Sequence, residues 1–158
     1  GLRAPMWSLR RKNVPFFEFL TSQGFLYDSS INPVATYLFG EKGAPRHAYR
    51  LVDNPALWEI PPASIHLPGK VFSTGGGFFL RALPLTYMQW AIRRYNSEGA
   101  PAVIYVHPWE MDPDHPVPPM PFKQRLIHTF GLHSTQRKMK SLLAQSESMT
   151  MEEYARSL

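Results

Sequence analysis

The sequence predicts an α/β fold, and two observations carry that prediction. A helical pattern is twice followed by an apolar strand pattern that ends in a polar residue: "NVPFFEFLTSQG" leads into "GFLYDSS", and "LPLTYMQWAIRRYNSEG" leads into "PAVIYVH". The second of these strands contains Val103, Ile104, Tyr105 and Val106 in unbroken apolar sequence, as expected of a parallel strand covered on both faces. Alternation of this kind builds parallel sheets and (β/α) barrels, whose functional groups sit at the carboxyl ends of the strands.

The elements follow in order. The first helix has Asn13 as a candidate N-cap, Pro15 in its first turn, Phe16, Phe19 and Leu20 as an apolar face, and Gly24 as its stop. Asp28 ends the first strand; the alternative is that "YDSS" is an Asx turn or a helix cap. "NPALWEIPPASIHLPG" reads as extended segments broken by Pro61, Pro62 and Pro68. In "STGGGFFLR" the contiguous Gly75, Gly76 and Gly77 do not fit a phosphate loop, since no Lys-Ser or Lys-Thr follows. They fit a close backbone approach to a neighbouring element or a sugar, with Arg81 available to a carboxylate. Pro84 opens the second helix, Met88, Ala91, Ile92 and Tyr95 form its inner face, and Gly99 closes it. "HPWEMDPDHPVPPMPF" is a long Pro-rich loop over 107–122. A third helix follows Ser134, with Met139, Leu142 and Leu143 inward and Arg137, Lys138 and Lys140 outward. Thr150 and Glu153 then form a capping box.

With 158 residues and 44% hydrophobic content, the chain has the size and apolar material of one compact domain. No window approaches the roughly 20 apolar residues of a membrane span, so no transmembrane segment is expected, and the opening residues lack the apolar core of a signal peptide. Without cysteine there are no disulfides or thiolate ligands, so a metal would rest on His, Asp or Glu. The net charge of +5 lies in short groups, "RRK" at 10–12, Arg93 with Arg94, and "RKMK" at 137–140, with no nucleic-acid-binding signature beside them. No nucleic-acid partner is expected; a polyanionic saccharide or a lipid surface accounts for the charge equally well.

By the strand-end rule Asp28 and His107 face one rim, where a carboxylate beside an imidazole would orient it as a general acid. The bland alternative for His107 is the satisfied polar end of a buried strand.

"GLRAPMWS" resembles the arginine–proline motif of the polysaccharide deacetylases of carbohydrate esterase family 4. With "GFLYDSSINP", "LWEIPP", "GGGFFLRALP" and "VIYVHPWEMDP" in that order, the chain resembles the C-terminal half of the exosortase-associated bacterial exopolysaccharide deacetylases from residue 1 to about residue 158. The resemblance implies a partial, distorted (β/α) barrel over residues 1–110, then a Pro-rich loop and C-terminal helical cap over 111–158. It implies a metal-dependent amidase that removes N-acetyl groups from an N-acetylhexosamine-containing exopolysaccharide in the bacterial cytoplasm or cell envelope. In that family a divalent ion, usually zinc, is held by one aspartate and two histidines, and a second aspartate acts as base. Matched motif by motif, His107 is the general acid and Arg3 holds the catalytic aspartate. The backbone N–H after Pro5, that of Met6, binds the oxyanion. Trp7 and Trp109 are candidate sugar-stacking walls, with ordinary core packing as the alternative for each, and Arg81 is a candidate substrate contact.

The family's Asp-Asp pair and His-x-x-x-His stretch precede the arginine motif, and this chain begins two residues before that arginine. His128 and His133 are five positions apart and read as surface residues. The expectation is therefore a chain that is inactive and zinc-free alone, with its metal ligands in an N-terminal half of the same protein. The rival readings are a non-catalytic carbohydrate-binding or scaffolding fragment and, more remotely, a basic nucleic-acid-binding protein.

Overall fold

The computed structural model describes residues 1–36, 39–68 and 70–158. In chain order its elements are α1 (Val14–Ser22), β1 (Tyr27–Asp28), β2 (Tyr49–Asp53), β3 (Ala56–Glu59), β4 (Ser64–Leu67), β5 (Lys70–Ser73), α2 (Phe78–Ala82), α3 (Leu85–Ser97), α4 (Phe122–Thr129), α5 (Leu132–Ala144) and α6 (Met151–Ser157). Short 3-10 turns occupy Pro5–Trp7 and Pro108–Met111. The chain divides into two compact units, Gly1–Ser73 with Met149–Leu158, and Thr74–Ser148. The class is α/β, as the sequence predicts. Among the described residues, however, the strands form one three-stranded and one two-stranded sheet, not a closed barrel.

In the first unit β3 is the central strand. It pairs in parallel with β1, matching Tyr27 to Trp58 and Asp28 to Glu59, and antiparallel with β2, matching Tyr49 to Glu59 and Arg50 to Trp58. Cross-strand partners project to the same face, so Asp28, Glu59 and Tyr49 form one row across the sheet. The N-terminal segment runs beside β1: Leu2 N–H donates to Tyr27 O at 3.1 Å and Ser29 N–H to Leu2 O at 2.9 Å. Phe17 and Leu20 of α1 pack with Ile31, Ala44 and Leu57 to form this unit's core, each large side chain contributing about 1.5–3 kcal/mol by burial. The buried stripe is thus Phe17, Leu20 and Thr21. Phe16 and Phe19, expected inward, are 38% and 55% exposed, because the stripe is rotated by one residue from the predicted one. Asn13 does occupy the N-cap position, but its side chain accepts from Arg10 N–H instead of from the helix.

The second unit contains the larger departure. "PAVIYVH" makes only an isolated parallel bridge, Gly76 to Tyr105, and residues 101–105 are half-buried while Val106 is exposed. Pro101 and Pro108 bracket the run and supply no ladder donors, so hydrogen bonding shrinks to what the glycine loop provides: Tyr105 N–H to Gly75 O at 2.5 Å and Gly77 N–H to Tyr105 O at 3.2 Å. "GFLYDSS" is likewise reduced to the two residues of β1. The expected inner face of α3 is found, with Met88, Ala91 and Tyr95 buried and Ile92 packed beside Leu80, Met88 and Leu142. Leu143, predicted inward, is 56% exposed. Lys138, predicted outward, turns in: its Nζ donates to the carbonyls of Leu80, Arg81 and Leu83 at 3.2, 2.7 and 2.8 Å. These are the orphan acceptors at the end of α2, where a cation is favoured by the helix dipole. Helix α4 lies in a stretch where the sequence reading placed no element. The Thr150–Glu153 capping box forms as expected, with Thr150 N–H donating to Glu153 Oε2 at 2.6 Å.

The glycine loop is read as a close approach by sequence and is one in the structure. Gly76 has φ 127°, and a Cβ there would overlap the Tyr105 carbonyl. Gly76→Ala should cost about 3 kcal/mol or more through overlap and strain together. Gly24→Ala, at φ 77° with open space around the added carbon, should cost about 1 kcal/mol. Equal losses in denaturant unfolding would contradict the close-approach account.

Candidate functional site

The second unit gathers its polar chemistry around Glu110. His107 begins the 3-10 turn Pro108–Met111, and this places Glu110 three residues on, where its carboxylate reaches back. Glu110 Oε2 accepts from His107 N–H at 2.9 Å and lies 3.1 Å from His107 Nδ1. The carboxylate therefore assigns the Nδ1–H tautomer to the neutral ring and leaves Nε2 for proton exchange. The two side chains differ in access: His107 is 53% exposed and Glu110 is 1% exposed. Glu110 Oε1 accepts from Arg81 Nε at 2.8 Å, and both partners of that ion pair are buried. Arg81 Nη1 donates to the carbonyls of Ile127, His128 and Phe130 at 3.1, 2.8 and 2.7 Å, closing the C-terminal end of α4.

Trp109 lies at the centre of a ring cluster. His128 stacks on it at 4.2 Å and 13°, His115 and His107 approach at 5.4 and 6.0 Å, and the Arg81 guanidinium sits 5.0 Å from the ring centre. His115 Nδ1 lies 2.6 Å from Asp112 O and so carries a hydrogen. Its Nε2 then accepts from His128 Nε2 at 2.8 Å. Burial first, then the charges of His115 and Arg81, hold His128 below the ordinary imidazole value. His128 is thus a half-buried stacking partner of Trp109 instead of a fully exposed surface residue, whereas His133 is exposed as expected.

The first unit holds the other predicted residues. Arg3 donates from Nε to Ser29 O at 3.1 Å and from Nη2 to Ser29 Oγ at 2.7 Å, and Ser29 Oγ donates to Ile60 O at 2.6 Å. Asp28 is fully buried and accepts from Ser30 Oγ at 2.7 Å and Ser30 N–H at 3.2 Å, so it is also the Asx turn that the alternative reading described. Ala4 N–H donates to the same Ser30 hydroxyl at 2.7 Å, tying the arginine–proline segment to that turn. After Pro5, Met6 and Trp7 take left-handed φ values of 58° and 46°, a strain of about 1–3 kcal/mol each that recurs at functional sites. Met6 is exposed, and Trp7 is half-buried with its ring 5.4 Å from Phe39.

The carboxylate bonded to His107 is Glu110, a residue that the sequence analysis does not single out. The signal was present: His-x-x-Glu has the spacing at which a side chain reaches back to the start of a helical turn. Glu59 was also missed. It is fully buried and accepts from Ile31 N–H at 3.0 Å. Burial first, then the neighbouring Asp28 charge and hydrogen bond, push its carboxyl well above the ordinary value. Burial and the Glu59 charge likewise push the Tyr49 phenol up.

Because the folded Glu59 carboxyl binds its proton more tightly than the unfolded chain does, its contribution to stability is complete below the ordinary value of 4.5 and is lost as pH rises through the folded value. Glu59→Gln should abolish that part of the pH dependence, and the stability of the variant relative to the parent should rise with pH above about 4.5. A constant difference between the two in denaturant titrations across this range would refute the assignment.

The family described as a domain of unknown function (DUF3473) matches residues 29–156, a span that includes Glu59, Arg81, His107, Trp109 and Glu110 and begins just after Asp28. No curated protein and no solved structure matches the chain. With most of its length covered, the chain belongs to the DUF3473 family.

Proposed function

We propose that the chain is the C-terminal portion of a metal-dependent polysaccharide deacetylase of the carbohydrate esterase family 4 type, acting on N-acetylhexosamine units of an exopolysaccharide and contributing part of a distorted (β/α) barrel. The observation that carries this reading is the His107–Glu110 pair, a solvent-facing imidazole oriented by a buried carboxylate beside a tryptophan. Among the described residues no three His, Cys, Asp or Glu side chains gather as metal ligands. In this reading the ion and its ligands belong to a preceding segment of the protein.

The roles of the chain's own residues follow from their bonds. Glu110 fixes the ring of His107 through Nδ1, so the proton passed to the departing amine leaves from Nε2 as the amide C–N bond breaks. Arg81 acts by holding Glu110, since its guanidinium is already taken by that carboxylate and by the α4 carbonyls. Arg3 braces the Ser29–Ser30 turn beside Asp28, and the strained Pro5–Met6–Trp7 turn offers the Met6 amide to the oxyanion. Trp7 provides a half-exposed ring for sugar contact, whereas Trp109, with His128 stacked on it and the Arg81 guanidinium over it, offers at most an edge.

The test is acetate release from N-acetylated hexosamine oligomers by the full-length protein supplied with zinc. His107→Ala should lower turnover by about a hundredfold or more with an unchanged melting temperature, because its side chain is half out of the fold. Glu110→Gln should lower both turnover and melting temperature, since it unbalances a buried ion pair. Glycan binding without acetate release would indicate a non-catalytic binding module, and turnover indifferent to His107→Ala would remove the general acid.

A further inference from the structure

Helix α4 is amphipathic with the wrong side out. Its half-buried residues are His128 and Thr129, and no residue in it is buried. Phe122, Leu126 and Ile127 are 78%, 54% and 56% exposed, and Phe130, just past its end, is 49% exposed. At about 100° per residue, Phe122, Leu126, Phe130 and Ile127 fall on one arc of the helix surface, and Phe78 extends the patch by meeting the Phe130 ring at 6.1 Å.

The segment that carries this arc has charges of one sign. From His115 to Ser146 the chain contains no aspartate or glutamate, but it holds Lys123, Arg125, Arg137, Lys138 and Lys140. Lys138 is occupied by carbonyls, and the other four are exposed. Lys123 lies within the apolar arc itself, between Phe130 and Ile127. That placement separates the possible occupants. Lysine is depleted from the cores of protein interfaces, whereas at a lipid surface its stem lies among acyl chains and its ammonium reaches the headgroups. A saccharide or a nucleic acid would match the charge, but it would leave Leu126 and Ile127 without a partner.

We propose that α4 is an interfacial anchor that seats Phe122, Leu126, Ile127 and Phe130 in the headgroup–acyl boundary of an anionic lipid surface, with Lys123 on its phosphates. The anchor lies on the membrane and does not cross it; no helix among the described residues is long and apolar enough to span one. This inference is independent of the catalytic reading.

The experiment is cosedimentation of the full-length protein with vesicles of phosphatidylglycerol and phosphatidylcholine, against pure phosphatidylcholine. Binding should require the anionic lipid, and Phe122→Ser with Leu126→Ser should weaken it by about tenfold or more at an unchanged melting temperature. Phe122→Trp should add a blue-shifted emission that brominated acyl chains quench. Several results would overturn the proposal: no binding to anionic vesicles, binding that survives the serine pair, or an unquenched tryptophan. Self-association removed by the serine pair would assign the face to a second copy instead. A lowered melting temperature would assign it to packing within the folded protein.

Discussion

The second unit depends on the buried ion pair between Arg81 and Glu110, at 2.8 Å with both side chains out of solvent. Losing one partner of such a pair costs about 3–5 kcal/mol, yet the intact pair is weak as a source of net stability. Its value here is positional. Arg81 takes Glu110 Oε1, so Oε2 is the oxygen left to bind both the backbone N–H and the ring of His107. The same guanidinium collects the last carbonyls of α4 through Nη1. Lysine could not do this, because the geometry uses a planar fork whose nitrogens serve a carboxylate and a helix end at once.

The two units bury a glutamate by opposite means. Glu110 is matched by a cation. Glu59 has no such partner among the described residues: its neighbours in the sheet row are Asp28 and Tyr49, and burial beside Asp28 favours its protonated form. The matched group is fixed in place, since the Arg81 guanidinium and the His107 amide each hold one of its oxygens. A group held by its proton makes the sheet row a titrating element, and Asp28, bonded to Ser30 beside it, feels that change directly. The carboxylate beside His107 is therefore held by fixed contacts, whereas the row that contains Asp28 includes a carboxyl held by its proton.

Local features were legible in the sequence where one residue decides the outcome. Gly24 and Gly99 end helices, Thr150 with Glu153 caps one, and Gly76 marks an approach that a side chain would block. Pairing was not legible, because an apolar run does not say whether a neighbour exists: Val103 to Val106 has the composition of a central strand and gains one bridge. The inward turn of Lys138 was hidden for a related reason. Its acceptors are backbone carbonyls more than fifty residues away, and carbonyls leave no trace in a side-chain pattern. Glu110 stood in plain view, but reading it as the partner of His107 needed the tight turn that Pro108 begins.

How α4 is attached explains what it exposes. Most helices join a fold by burying an apolar stripe. Here the fastening is polar and aromatic: Arg81 holds the helix by its terminal carbonyls, and His128 stacks on Trp109 while bonded to His115. With these contacts made through the polar edge, the apolar residues are not needed for attachment and project outward. The sequence period of α4 is that of an ordinary core helix, and only the placement of its carbonyl anchor and one histidine reverses it. Any change that loosened Arg81 would thus release the orientation of His107 and the seat of α4 together, because both are held by nitrogens of one guanidinium.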